Sequence, residues 1–151
     1  MSFEIVRKII PFSQKGYCCS QILFLLALES KGDANPDLIR SMAGLCNGIG
    51  YSGEICGVLT GAACLIAFFA GKGSDEEQEN DRFNLMVSNL VEWFQESIGG
   101  KYNGIKCEEI LGEDGIEKPD LKICANIIAK TYSMVTKILE ENGYKICYIQ
   151  P

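Results

Sequence analysis

Eight cysteines and no histidine define the chemistry open to this 151-residue sequence. Without imidazole there is no Ser-His-Asp or Cys-His nucleophile pair, no histidine-ligated zinc or haem, no HExxH hydrolase and no imidazole proton shuttle. Thiol, carboxylate, lysine and tyrosine chemistry remain. The thiols do not sit in short ligand loops: there is no CxxC, and Cys18-Cys19 is the one close pair. Zinc ribbons, thioredoxin-like active sites and bacterial ferredoxin runs all need two sulfurs held by one short loop, so each is disfavoured. Any centre shared by these sulfurs must be assembled from distant segments.

Those segments read as helices, with little strand alternation. Ile5, Val6, Ile9 and Ile10 form a stripe on a first helix from Phe3 to about Phe12, broken at Gly16. A second runs from about Tyr17 to Ser30, stopped by Gly32 and Asp33. Pro36 behind Asn35 opens a third to about Cys46, since Asn caps and Pro suits the first helical position. A glycine-dense turn, 47–53, precedes a helix beginning near Ser52 or Glu54 and ended by Gly71. The acidic run from Asp75 suits the positive end of a fifth helix, Ser74 to about Ile98. Gly99, Gly100 and Gly104 then loosen the chain before a short helix, Ile105 to Leu111, and a last long one follows Pro119 to about Asn142. An apolar tail, Tyr144 to Ile149, packs back on the body. The expected fold class is all-α, a single-domain helical bundle of five to seven helices over 1–151, with a glycine-rich turn before a buried central helix.

On these helices the cysteines separate into two groups. Cys18 and Cys19 fall in the first turn of the second helix, Cys56 in the first turn of the central one, Cys107 at the start of the short one, and Cys124 about one turn into the last. Unpaired N–H groups at a helix start favour thiolate, the form that binds iron or attacks a disulfide. Cys46 sits at a helix end, Cys147 in the tail, and Cys64 eight residues beyond Cys56, roughly 12 Å along the same helix. These three are expected to be small buried hydrophobes. A strained vicinal Cys18–Cys19 disulfide is disfavoured. Spacing leaves two readings of the helix-start cysteines open, a shared centre or core packing.

Composition narrows the setting. Apolar residues make up 47% of the chain and there are 4 Pro, as a folded globule requires. A chain of this size buries roughly 70% of its unfolded surface, so no disulfide is needed to staple it. The formal charge of -6, from 14 Lys+Arg against 20 Asp+Glu, works against nucleic acid or an anionic-lipid anchor as partner. Residues Ile55 to Gly71 carry no charge, but their Gly, Ala and Thr content favours a buried helix over a membrane span. The first twelve residues lack the hydrophobic block of a secretory signal, and a cytoplasmic setting is expected, where clustered cysteines mean metal or redox work. The acidic run Asp75 to Asp81 lacks the alternating ligands of a calcium loop, and the glycine turn lacks the phosphate-cradling GxxxxGK[ST] pattern.

At the cysteines the chain resembles the C_GCAxxG_C_C family, labelled redox-active on the strength of its cysteines. The resemblance rests on Gly16-Tyr17-Cys18-Cys19-Ser20-Gln21, on the stretch from Gly48 through Cys56-Gly57-Val58-Leu59-Thr60-Gly61, on Cys107 before Leu111-Gly112, and on Cys124, and covers about residues 12 to 140. Cys18 stands where the family carries Asn, and Val58 where it carries Ala; Cys19 aligns with the family cysteine. The resemblance implies that Cys19, Cys56, Cys107 and Cys124 act together. The leading expectation is a metal site with these four ligands, an iron–sulfur cluster serving electron transfer to an unidentified redox partner, with Gly57 and Gly61 letting backbone approach the cofactor. Zinc on the same four sulfurs is the alternative cofactor. Without metal, the same four would be redox thiols of an oxidoreductase or carrier working by thiol–disulfide exchange. A third expectation is a structural helical interaction module, such as a homo-oligomer pairing its uncharged helix.

Overall fold

A computed structural model describes residues 2–146. Helix α4 (Gly57–Ala70) lies at the centre, packed against α2 (Cys19–Lys31), α5 (Phe83–Phe94) and α8 (Leu121–Glu141), while α1 (Ser2–Gln14) covers α8 and α2. A helix apolar all round has no face to give to solvent and becomes the core. Val58, Ala62, Leu65 and Ile66 of α4 are accordingly inaccessible, and they meet Leu23, Leu26, Leu90, Phe94, Val135 and Leu139 from the surrounding helices. Helix α8 is amphipathic, burying Ile127, Ile128, Thr131, Tyr132, Val135, Ile138 and Leu139 along one stripe. The remaining pieces are α3 (Pro36–Met42), α6 (Gly100–Tyr102) and α7 (Cys107–Leu111), with 3-10 turns at Ala43–Leu45 and Glu113–Gly115. The described residues contain no strand, only an isolated antiparallel bridge between Ile55 and Lys106. The all-α bundle stands as expected. No helix among the described residues is long and apolar enough to cross a membrane.

Local chemistry explains where the helices begin and end. Asn35 caps α3 by accepting from the Leu38 N–H at 3.2 Å, with Pro36 as the first helical residue. Gly32 takes the left-handed conformation (φ 71°) that closes α2, and the Asp33 N–H returns to the Leu28 carbonyl at 2.9 Å. Four boundaries differ from the sequence reading, the first being the start of α4, which falls at Gly57 and not near Ser52 or Glu54. Helix α3 ends at Met42 and passes into a 3-10 turn, so Cys46 lies beyond it. The acidic run from Asp75 does not open a helix. There Asn80 sets the path: its N–H donates to the last-turn carbonyl of Ala70 at 2.9 Å, its amide Nδ2 donates to the Tyr144 hydroxyl at 2.8 Å, and its Oδ1 accepts from Arg82 N–H at 2.9 Å. These bonds pin the segment across the end of α4 and delay α5 to Phe83. Finally, Gly99 and Gly100 do not interrupt the fifth helix; it runs through a π turn, Gln95–Gly99, into α6 and stops at left-handed Asn103.

The tail packs back as far as it is described: Ile146 is buried and Tyr144 stacks edge-on against Phe69. Cys147 lies outside the described residues.

Truncating Leu65, wholly buried in α4, should cost about 2–5 kcal/mol in urea denaturation. The same change at Leu85, half exposed on α5, should stay within about 0.5 kcal/mol of the parent.

Candidate functional site

Four chain segments bring sulfur to one place. Cys19 is the first residue of α2, Cys56 the N-cap of α4, Cys107 the first residue of α7, and Cys124 follows Leu121 by three residues in α8. All four line a small cavity of about 20 Å³, together with Asn47, Gly57, Val58, Ile110, Leu111 and Ile127. Cys64, further along α4, does not line it. The sulfurs expected from sequence to act together are therefore brought together.

Two local arrangements produce the convergence. The Ile55–Lys106 bridge is the first: Cys56 N–H donates to the Ile105 carbonyl at 2.9 Å and Cys107 N–H to the Glu54 carbonyl at 2.7 Å, so the starts of α4 and α7 are zipped side by side. A Lys106–Glu54 ion pair at 3.7 Å adds to it. The second is the close approach of α2 to α4. A Cβ on Gly57 would lie 2.6 Å from the Leu45 carbonyl oxygen and 2.8 Å from Cys19 Sγ. Gly57 therefore lines the cavity and makes the space that Cys19 occupies. A Cβ on Gly61 would meet Ser20 Cα at 3.1 Å, so Gly61 serves the packing of α4 on α2 and is not among the cavity's walls.

The glycine-rich turn closes one side. Asn47, Ile49 and Tyr51 alternate with glycines in the left-handed region, at φ 50°, 64° and 64°. Such values are unfavourable for a β-branched residue. Cross-turn bonds hold them, among them Gly53 N–H to the Asn47 carbonyl at 3.2 Å and Glu54 N–H to that of Gly48 at 3.0 Å. Asn47 is buried and its amide donates to the Ile116 carbonyl at 2.7 Å. Sequence reasoning missed Asn47; an Asn beside Gly in a turn of this kind is the signal that could have found it.

Burial governs the electrostatics. The helix-start expectation of depressed thiol pKa values is overturned, because enclosure in apolar surroundings outweighs the N–H groups. Burial pushes Cys19 up, against the opposing backbone N–H groups of Asn47, Ser20 and Cys19 itself. Cys56 is raised by burial and then by the charge of Cys19. Burial, then Cys19 and Glu108, push Cys107 up to about 11. Cys124 is pushed up to about 12 by burial, then by Cys19, Cys107 and Asp120. The four thiols are thus electrically coupled and neutral at physiological pH.

Cys18 and Cys46 correct the sequence reading. They are joined in a disulfide, with Cα atoms 5.8 Å apart, so Cys46 is not a free buried hydrophobe. Cys18 and Cys46 precede Cys19 and Asn47, two walls of the cavity. No spacing rule links positions 18 and 46, which is why sequence did not reveal the pair.

A surface groove adjoins the cavity. A groove of about 280 Å³ is lined by Cys18, Cys19, Asn47 and Cys124, with Ile10, Tyr17, Tyr51 and Leu121 exposed around it. Cys19, Asn47 and Cys124 are walls of both spaces. Cys56 and Cys107 lie behind them, buried.

Four soft donors match a tetrahedral metal ion in number and chemistry. Their present arrangement does not match a cluster: about 20 Å³ is room for roughly one water-sized occupant, well short of a multi-iron core. Among the described residues no group of three or more ligating side chains is arranged to hold a metal ion.

The structure is an all-α bundle in which four cysteines from distant segments line one small pocket. The family described as "Putative redox-active protein (C_GCAxxG_C_C)" matches residues 17–138, and the chain belongs to it. No curated protein and no solved structure matches the chain.

Two outcomes follow from this geometry. Adding a methyl at Gly57 (Gly57→Ala) forces apart Cys19 and Leu45 and should destabilise the fold by about 1–3 kcal/mol in urea titration. Because folding raises the thiol pKa values above the ordinary 9.0, the native state holds protons that the unfolded state releases. Stability is therefore full below pH 9 and falls as pH rises toward 11 to 12, measurable as a falling denaturation midpoint.

Proposed function

We propose that this protein is a two-electron thiol redox protein in which Cys19 attacks and Cys124 resolves. One observation carries the reading: Cys19, Asn47 and Cys124 are walls of both the inner cavity and the groove that opens to solvent. A partner's disulfide entering the groove would meet these two sulfurs first. Cys19 is the better attacker, because backbone N–H groups of Asn47, Ser20 and Cys19 face its sulfur and steady the thiolate as it forms. In the balanced exchange, Cys19 sulfur bonds to one partner sulfur as the partner's S–S bond breaks. Cys124 sulfur then displaces that partner sulfur from Cys19. The products are a Cys19–Cys124 disulfide and two partner thiols; two electrons and two protons leave the protein. Cys56 and Cys107 keep the pocket dry and their neutral thiols pack against the pair.

A second reading is favoured by the convergence of all four sulfurs. The charge of Cys19 raises the pKa values of Cys56, Cys107 and Cys124, and a cation among them would remove that penalty. Cys19, Cys56, Cys107 and Cys124 would then hold a single tetrahedral ion such as zinc, or, with the cavity widened, an iron–sulfur cluster for electron transfer.

Anaerobic purification followed by iron, zinc and sulfide counts, a visible spectrum and peptide mapping after mild oxidation separates the two. The exchange reading expects metal-free, colourless protein and a Cys19–Cys124 cross-link, lost in Cys124→Ser. Stoichiometric iron with sulfide, or stoichiometric zinc bound through all four cysteines, overturns it in favour of the metal centre.

A further inference from the structure

We propose that the Cys18–Cys46 disulfide is a second redox site, reduced by a dithiol entering the groove, whose opening loosens the wall of the four-thiol cavity. It stands apart from the Cys19–Cys124 chemistry and does not depend on what the four thiols do.

The two sulfurs are unequal. Cys18 is partly exposed and lines the groove, whereas Cys46 is buried. An incoming thiolate therefore reaches Cys18. There the sulfur stands at the N-cap of α2, whose open N–H groups favour negative charge on it once it is released. The other sulfur has support for departure. The Ser20 hydroxyl, wholly buried, lies 3.8 Å from Cys46 Sγ and 3.3 Å from Cys18 Sγ while donating to the Met42 carbonyl at 2.8 Å. Turning that O–H toward a sulfur would stabilise either thiolate as it forms.

The chemistry balances with an external dithiol as reductant. One of its thiolates bonds to Cys18 sulfur, the Cys18–Cys46 bond breaks, and Cys46 leaves as a thiolate that takes up a proton. The second thiol of the reductant attacks its own sulfur on Cys18, closes the reductant's disulfide and releases Cys18. Two electrons pass to the protein and two protons end on Cys18 and Cys46.

Opening the cross-link matters because of what adjoins it. Cys19 follows Cys18 and Asn47 follows Cys46, and a backbone N–H of Asn47 faces Cys19 sulfur inside the cavity. The disulfide thus staples two cavity walls together. Asn47 opens a turn whose Ile49 and Tyr51 sit in unfavourable left-handed conformations, so that wall is the one with backbone energy to release when the staple is cut.

The experiment is differential alkylation with peptide mapping on air-oxidised Cys124→Ser protein, in which Cys19 cannot be held in the Cys19–Cys124 cross-link, with and without dithiothreitol. Without reductant, Cys18 and Cys46 should resist iodoacetamide even after denaturation; with it, both should label, and Cys19 in the folded protein should label several-fold faster. On the same background, Cys46→Ser and Cys18→Asn should show the fast Cys19 rate with no reductant, circular dichroism confirming that helix is kept. Should a Cys18 or Cys46 variant fail to fold, the measurements on Cys124→Ser with and without dithiothreitol decide alone. Labelling of Cys18 and Cys46 without reductant overturns the disulfide, and an unchanged Cys19 rate after their reduction overturns the staple. Absence of the Cys19–Cys124 cross-link in the oxidised parent protein, with these outcomes intact, would count against the exchange reading only.

Discussion

Everything at the sulfur pocket depends on α4 approaching α2 with no side chain between them at Gly57. The space a methyl would fill there is already taken by Cys19 sulfur and the Leu45 carbonyl. One missing carbon therefore fixes three things at once: the distance between the two most buried helices, the position of the thiol with the most N–H partners, and the course of the chain into the glycine turn. Gly61, a turn further along, repeats the accommodation against Ser20. Close helix packing and site construction are one event here.

Enclosure gives the pocket its chemical character. Charge on a buried sulfur is costly, and charge on two neighbouring ones more so. The coupled cysteines can lower that cost by staying protonated, by joining as disulfides, or by gathering around a cation. A pocket of this kind favours states in which its sulfurs share electrons or protons and disfavours a lone thiolate. The groove offers access on the side where Cys19 and Cys124 are walls of both spaces.

Features written in local sequence were legible. The Asn35-Pro36 cap, the uncharged α4 and the left-handed stop at Gly32 each depend on residues within a turn of one another. The grouping of Cys19, Cys56, Cys107 and Cys124, which line one cavity, was legible through the family pattern. What escaped was non-local. The Ile55–Lys106 bridge and the Cys18–Cys46 disulfide join segments with no shared period. Asn80, held by Ala70 and Tyr144, diverted an acidic stretch that by charge alone suits a helix start. The direction of the thiol pKa values escaped for a related reason. The helix-end contribution is visible from position in sequence, whereas the larger desolvation appears only once the walls from other segments are in place.

The π turn at Gln95–Gly99 gives a helix remote from the sulfurs a hold on their arrangement. It accommodates an extra residue in the helical winding, and each residue in an α-helix turns the chain by about 100°. Beyond it the chain leaves α6 through Asn103 and Gly104 and reaches Ile105, whose carbonyl receives the Cys56 N–H and whose side chain rests against Gly99. A one-residue deletion that regularised this winding would rotate the exit and misalign the zipper that sets Cys107 beside Cys56. Indels in an apparently ordinary helix would thus be read out at the cavity as a phase error, which makes the winding of that helix part of the site's inheritance.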